Sequence, residues 1–361
     1  MKKLENLSKL VSIRSDANCK EILKFLKSEL TGKVEEIKVI DEKIFIAGIN
    51  TTLKDIEPLV LSGHIDTVGA NEQLYTTYPY ELTEVDGKGY GLGSIDMKSF
   101  TAVVLDNIDK LKNFLCPIVL ALTTDEETEL NSIEFMIETF KKLGIKPKFT
   151  ILGEPTNSEF NLCSNACYEY KVKFFGKACH SSKISEGVNA ICACAKLIGF
   201  LEENQKKYKL TSNCGVVKGG EVVNKVPDYA ELIFDIRSIQ PEDVSKFIEE
   251  IKVFLENLQK EYLGLSVEMN RSLAIPAYNN LDNKKINSIA EELSIKTAPF
   301  SGGCEAGYYT SYSGDAVIFG VGDLSLAHKP NEFVVIDEYE RYSQKLLPVL
   351  KSVENKYFND K

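Results

Sequence analysis

The chain is 361 residues long, 43% hydrophobic and 27% charged, and carries a formal net charge of −10. That length suits two domains better than one core, and the balance is that of a globular protein. The acidic charge excludes a nucleic-acid footprint and adhesion to an anionic membrane surface.

The opening MKKLENLSKLVSIRS has lysines but no apolar core, so it does not read as a signal peptide. No apolar run anywhere is long enough to span a bilayer. Apolar residues recur at helical spacing over 3–12 (Leu4, Leu7, Leu10, Val11) and 18–30 (Ile22, Leu23, Phe25, Leu26, Leu30). Residues 34–49 alternate weakly and suggest one or two strands. At 59–63 a short apolar run bounded by Pro58 and Gly63 reads as a buried strand, followed at once by His64-Ile65-Asp66. A histidine past a strand end can hold a metal through one ring nitrogen while a carboxylate such as Asp66 fixes the other.

Residues 70–90 are polar and turn-rich, and 87–100 read GKGYGLGSIDMKSF. No G-x-G-x-x-G follows, which argues against a dinucleotide site. Asp96 falls just before a helical pattern over 98–115, where it is either a helix cap or a ligand. Ile118–Leu122 is a second apolar strand, trailed by Asp125, Glu126 and Glu127. Adjacent acids are ordinarily a solvated turn, and tolerate burial only with a compensating cation. Phe149–Leu152 followed by Gly153 and Glu154, and Ala316–Phe319 followed by a glycine loop and His328, repeat the pattern.

Between 164 and 275 the pattern changes. Residues 168–177 alternate like an exposed antiparallel strand, a helix runs from about 187 to 201, and strands follow at 214–220 and 230–238. PEDVSKFIEEIKVFLENL (241–258) is an amphipathic helix with Pro and acids in its first turn, and 265–270 closes as a strand. Strand-helix-strand-strand-helix-strand is a ferredoxin-like unit. The expected architecture is therefore α/β: a mostly parallel sheet with helices on both faces, built from 1–166 and 276–361, interrupted by an inserted ferredoxin-like α+β domain over 167–275.

In parallel sheets ligands gather outside the carboxyl ends of the strands. His64, Asp96, Glu126, Glu127, Glu154 and His328 can all meet there. Two histidines with several carboxylates suit zinc or a similar divalent ion, and their number suits two ions sharing a bridging carboxylate. The nine cysteines form no C-x-x-C pair and read as reduced thiols. Only Arg14, Arg237, Arg271 and Arg341 could clamp a carboxylate in a bidentate way.

SGHIDTV (62–68), GLGSIDMKS (91–99), TTDEE (123–127), LGEPT (152–156), GKACHSSKISEGVNAI (176–191), GGEVVNKVPD (219–228), FDIRS (234–238) and AHKPNEF (327–333) occur in that order. With these motifs the chain resembles, over nearly its whole length, the two-zinc amidohydrolases that include acetylornithine deacetylase, succinyl-diaminopimelate desuccinylase, aminoacylase and glutamate carboxypeptidase. The resemblance implies that His64, Asp96 and Glu154 hold one metal and that Asp96, Glu127 and His328 hold the other. Zinc is the expected ion, with cobalt the other candidate. It further implies that Asp66 orients His64, that Glu126 is the general base, and that the Asp96–Met97 peptide is cis. His180 would act in the active site of the partner subunit of a homodimer, and Arg237 and Asn224 would contact the substrate carboxylate.

Within that family, GEPT, HSS…GVNAI and Cys304-Glu305-Ala306 are most similar to the acetylornithine deacetylases, although Asn165-Ala166-Cys167 departs from their pattern. The desuccinylases carry paired arginines near the start of the inserted domain, where SNACYEYKV has none. The expected activity is deacylation of an N-acyl amino acid in the cytoplasm, N-acetylornithine first, as in arginine biosynthesis. Desuccinylation, a dipeptidase or carboxypeptidase activity, and a metal-binding protein without catalysis are the alternatives. No nucleic acid or membrane is expected among the partners.

Overall fold

A computed structural model describes residues 4–359. The start of the expected 3–12 helix and the outermost residues of the expected 1–166 and 276–361 segments lie outside that range. The chain divides into two compact units: Met1–Cys163 with Asn280–Phe300 and Cys304–Lys361, as far as these are described, and Ser164–Asn279 with Ser301–Gly303.

The first unit is built on an eight-stranded sheet. Its order is Glu36–Ile40, Ile44–Ile49, Ile118–Thr123, Leu59–His64, Phe149–Leu152, Asp315–Ile318, Phe160–Asn161 and Thr297–Ala298. The four strands from Ile118–Thr123 to Asp315–Ile318 run parallel, with Leu59 opposite both Ile118 and Phe149, and Asp315 also opposite Phe149. These registers bring the carboxyl ends of the four strands to one edge. Strand Leu59–His64 is buried at every position, which is why its sequence is apolar without alternation. Leu59 and Leu61 join a core formed with the helices Glu5–Ser12, Lys20–Leu30, Lys98–Asp106, Lys284–Glu292 and Ile336–Tyr357. Val60 points to the opposite face. Helix Asn131–Leu143 packs on strand Ile118–Thr123, and helix Ala306–Tyr312 packs on strands Phe149–Leu152 and Asp315–Ile318.

Two readings of the sequence change in this unit. The helical pattern over 98–115 is two pieces, Lys98–Asp106 and Ile108–Leu111. At the break, Asn107 Nδ2 donates to Val103 O (2.9 Å) and to Ser343 Oγ (3.1 Å), the side-chain competition with helix continuation that asparagine favours. The polar stretch 70–90 contains two short strands, Thr83–Val85 and Lys88–Tyr90, joined into a small sheet by Phe333–Val335, with Phe333 opposite Tyr90. The long helix Ile336–Tyr357 was not legible from the segment's mixed polarity. Among the described residues no helix is long and apolar enough to cross a membrane.

In the second unit the strands Thr211–Gly219, Tyr229–Ser238, Ala166–Phe175 and Ser266–Ile275 form one antiparallel sheet in that order. Helices Ala190–Asn204 and Pro241–Glu261 complete the strand-helix-strand-strand-helix-strand order of a ferredoxin-like unit. The strand expected as exposed over 168–177 runs from Ala166 to Phe175 and is an interior strand of this sheet. Its Tyr170, Val172 and Phe174 pack with Leu232, Phe234, Leu197 and Phe247 in a separate core.

Candidate metal centre

The sequence-predicted ligand residues of the first unit converge. Ligand atoms of His64, Asp96 and Glu154 lie within 4.8 Å of one another, as do those of Asp96, Glu127 and His328, and those of His64, Glu126 and Glu127. Asp96 belongs to two of these triads and faces a different histidine with each oxygen. His64 Nε2 is 3.0 Å from Oδ1, and His328 Nε2 is 3.2 Å from Oδ2. His328 Nε2 also lies 2.8 Å from Glu127 Oε1, and His64 Nε2 lies 3.9 Å from Glu154 Oε1.

Local structure explains each placement. His64 ends its strand, and Glu154 follows Phe149–Leu152 after one glycine. A Cβ on Gly153 would fall 2.0 Å from the Phe100 ring, so glycine there lets helix Lys98–Asp106 approach the strand end. The Asp96–Met97 peptide is cis, and the Asp96 side chain does not cap the following helix. The three adjacent acids divide their work. Asp125 accepts the backbone N–H groups of Asn131 (3.1 Å) and Ser132 (2.9 Å), closing the turn before helix Asn131–Leu143. That turn presents Glu126 and Glu127 to the site. Asp66 is buried: its Oδ2 accepts the Glu127 N–H at 3.0 Å, and its Oδ1 lies 3.5 Å from His64 Nδ1 with no hydrogen-bond partner among the described residues.

The donor set fits divalent cations. His64 Nδ1 faces the carbonyl oxygen of Asp66 at 3.1 Å and its Oδ1 at 3.5 Å, both acceptors, so Nδ1 carries the ring proton. Nε2 then faces an Asp96 oxygen at 3.0 Å, so a proton or a cation must lie between the two. Among the described residues the ion-pair partners of Asp96, Glu127 and Glu154 are all histidines, with no lysine or arginine to neutralise the cluster. The cluster's protonation reports the same strain. Burial pushes Glu126 up to about 8 and raises Glu127 and Glu154, these two also through the charge on Asp96. Asp96 beside it lifts His328 to about 9. Burial opposes charging of His64, yet hydrogen bonds to Asp66 and Asp96 hold it well above its ordinary value. Imidazole nitrogens with carboxylate oxygens are the ligands that zinc and similar divalent ions take, and bound cations would relieve this crowding directly.

Three buried charged residues near this cluster had no role in the sequence reading. Glu305 accepts from Thr123 Oγ1 at 2.6 Å, its Oε2 has no hydrogen-bond partner among the described residues, and burial pushes it up to about 7. Lys98 donates to Ile13 O at 2.8 Å, and burial brings it down to about 8. Glu332 accepts the backbone N–H of Ile95 and Asp96. The available signal was their place inside the DMKS, CEA and NEF motifs, beside residues already singled out.

His180, Asn224 and Arg237 belong to the second unit. His180 is exposed and precedes the short 3₁₀ helix Ser181–Glu186, pairing in a β-bridge with Lys225, while Ser181 N donates to Asn224 O at 3.0 Å. These contacts set His180 and Asn224 side by side. Ser182 N donates to His180 Nδ1 at 3.2 Å, so Nε2 carries the proton of the neutral ring. Arg237 lies on strand Tyr229–Ser238, about half exposed, with Nε 2.8 Å from Asp235 Oδ2.

Residues 60–352 match the model of peptidase family M20/M25/M40. An acetylornithine deacetylase of Buchnera aphidicola subsp. Acyrthosiphon pisum (strain 5A) is 30% identical over 290 residues, 76% of this chain and 75% of that one. A metallohydrolase of Methanocaldococcus jannaschii without assigned function is 30% identical over 355 residues, 94% of each chain. Among solved structures, a tripeptidase from Staphylococcus aureus superimposes with a TM-score of 0.76 at 23% identity, covering 97% of both chains. A Bacillus subtilis protein described as a dinuclear metal-binding peptidase gives 0.72 at 17% identity, covering 98% of both.

Proposed function

The chain belongs to peptidase family M20/M25/M40, and from that premise we propose that this metallohydrolase cleaves the amide bond of an N-acyl amino acid, N-acetylornithine foremost, releasing ornithine for arginine biosynthesis in the cytoplasm. The observation that carries this reading is the sharing of Asp96 between two ligand triads, with Glu126 beside them. His64, Asp96 and Glu154 would hold one zinc, or cobalt, and Asp96, Glu127 and His328 the other. Such a pair of ions supplies an acidified water and an electrophile for the scissile carbonyl.

The chain's own residues do the rest. Asp66 keeps the proton of His64 on Nδ1 and frees Nε2 as a ligand. Glu126 takes a proton from the attacking water and returns it to the leaving amine. His180, reaching the site of the other subunit in a homodimer joined through the second unit, donates Nε2–H to the developing oxyanion. Arg237 and Asn224 hold the substrate carboxylate. The absence of an arginine in SNACYEYKV disfavours a succinyl substrate.

A second reading, a di- or tripeptidase, is favoured by the peptidases among the structural neighbours. A panel of N-acetylornithine, N-succinyl-diaminopimelate, dipeptides and tripeptides, assayed with zinc- or cobalt-loaded protein, separates the two. Faster turnover of peptides than of N-acetylornithine would replace the first reading with the second. Bound metal with no turnover on the whole panel would leave a binding protein.

A further inference from the structure

Glu332 is 2% exposed and lies four residues after His328. Its Oε1 accepts two consecutive backbone N–H groups, those of Ile95 at 2.8 Å and Asp96 at 3.2 Å. Its own carbonyl oxygen accepts the Gly91 N–H at 3.0 Å, continuing the pairing of Phe333 with Tyr90. One loop thus grips the segment carrying Asp96 at two levels. His328 meets the side chain of Asp96, and Glu332 meets its backbone.

Burying a carboxylate is costly, and among the described residues Glu332 has no ion-pair partner within hydrogen-bonding reach, only the charge of buried Lys98 nearby. Neutral acceptors could satisfy the same N–H groups at a lower desolvation cost, but carboxylate hydrogen bonds are about twice as strong. The site of that strength is the peptide from which Asp96 projects, and a small rotation there would move both Asp96 oxygens away from their histidines together. We propose that Glu332 is a positioning residue, holding the Ile95–Asp96 backbone so that each oxygen of Asp96 faces its own half of the metal centre. The inference rests on the metal-binding reading above.

The molecule contains its own control. Glu354, 0% exposed, also accepts two consecutive backbone N–H groups on one oxygen, those of Leu115 at 2.6 Å and Cys116 at 2.9 Å, with Lys351 as an additional ion-pair partner. It touches none of the six converging residues.

The test titrates the metal-free full-length protein with Zn²⁺ by calorimetry and with Co²⁺ by visible absorption, alongside thermal melts. Glu332→Ala is expected to weaken metal binding roughly 10–100-fold, the usual effect of losing a partner that orients a ligand, and to alter the Co²⁺ bands. Glu332→Gln, which keeps one neutral acceptor oxygen, should bind metal more tightly than Glu332→Ala and less tightly than wild type. Glu354→Ala should lower the melting temperature and leave both titrations unchanged. Should Glu332→Ala fail to fold, Glu332→Asp, which withdraws the acceptor by one methylene, is expected to weaken binding in its place. Wild-type titrations for Glu332→Ala, or for Glu332→Asp where the alanine variant does not fold, or equal weakening by Glu354→Ala, would overturn the positioning role alone. A wild-type protein that binds neither ion would overturn the metal reading and this inference with it.

Discussion

His64 and His328 share one carboxylate: the first faces Oδ1 of Asp96 and the second faces Oδ2, at 3.0 and 3.2 Å. The two histidines come from opposite ends of the sequence, yet Asp96 makes them parts of one centre.

That sharing predicts an asymmetry among ligand substitutions. Asp96→Ala should bind neither ion tightly, whereas His328→Ala and His64→Ala should each lose one. Metal analysis of the dialysed variants decides it. Full two-ion occupancy in Asp96→Ala would refute the bridging role.

Removing metal should act on stability as well as on turnover. Treatment with a chelator is expected to abolish activity and to lower the melting temperature, because ions bound only by the folded state stabilise it by mass action. Added Zn²⁺ or Co²⁺ should restore both. An unchanged melt would show that the crowded carboxylates are tolerated without cations.

Glu126 is expected to separate binding from chemistry. Glu126→Gln should retain both ions while kcat falls roughly 10²–10⁴-fold, the range of general acid–base contributions. Turnover close to wild type would remove the base assigned here.

Subunit mixing tests His180. Dimers of Glu126→Ala and dimers of His180→Ala should each be nearly inactive. After exchange, a mixed dimer would contain one site with an intact Glu126 and a partner's intact His180. Activity should therefore reappear on mixing. Two inactive variants that stay inactive after demonstrated exchange would place His180 in its own subunit's chemistry or in none.

Gly320 offers a purely steric prediction. A Cβ there would lie 2.3 Å from the carbonyl oxygens of both Gly153 and Glu154, and backbone cannot swing aside as a side chain can. Gly320→Ala should cost about 1–3 kcal/mol or more in denaturant melts. It should also weaken metal binding through Glu154. Wild-type stability would mean that the two strand ends yield more readily than close packing allows.

The sequence exposed the parallel sheet because its strands are unbroken apolar runs, each ending in glycine or a small residue before a ligand-type side chain. His64, Glu154 and His328 were visible through that position, and Glu127 only as one of three adjacent acids. The division among Asp125, Glu126 and Glu127 was not visible, since three like charges in a row carry no sign of which one caps a turn. Glu332 escaped for a related reason. Its partners are backbone N–H groups, which have no signature in residue types. The kink at Asn107 and the small sheet around Lys88–Tyr90 depend on contacts with Ser343 and Phe333, more than 200 residues away. The central placement of Ala166–Phe175 likewise depends on two strands that pair with it from much later in the chain.

The order of synthesis follows from the interrupted first unit. When the ribosome has finished the Ser164–Asn279 segment, His64, Asp96, Glu126, Glu127 and Glu154 already exist, but strand Asp315–Ile318 and His328 do not. The antiparallel unit has all of its sheet by then and can mature early, as contiguous domains do during translation. The catalytic half must wait, its central sheet lacking a parallel strand and Asp96 lacking its second histidine. A nascent chain halted before residue 315 would therefore lack His328, one of the two histidines that face Asp96.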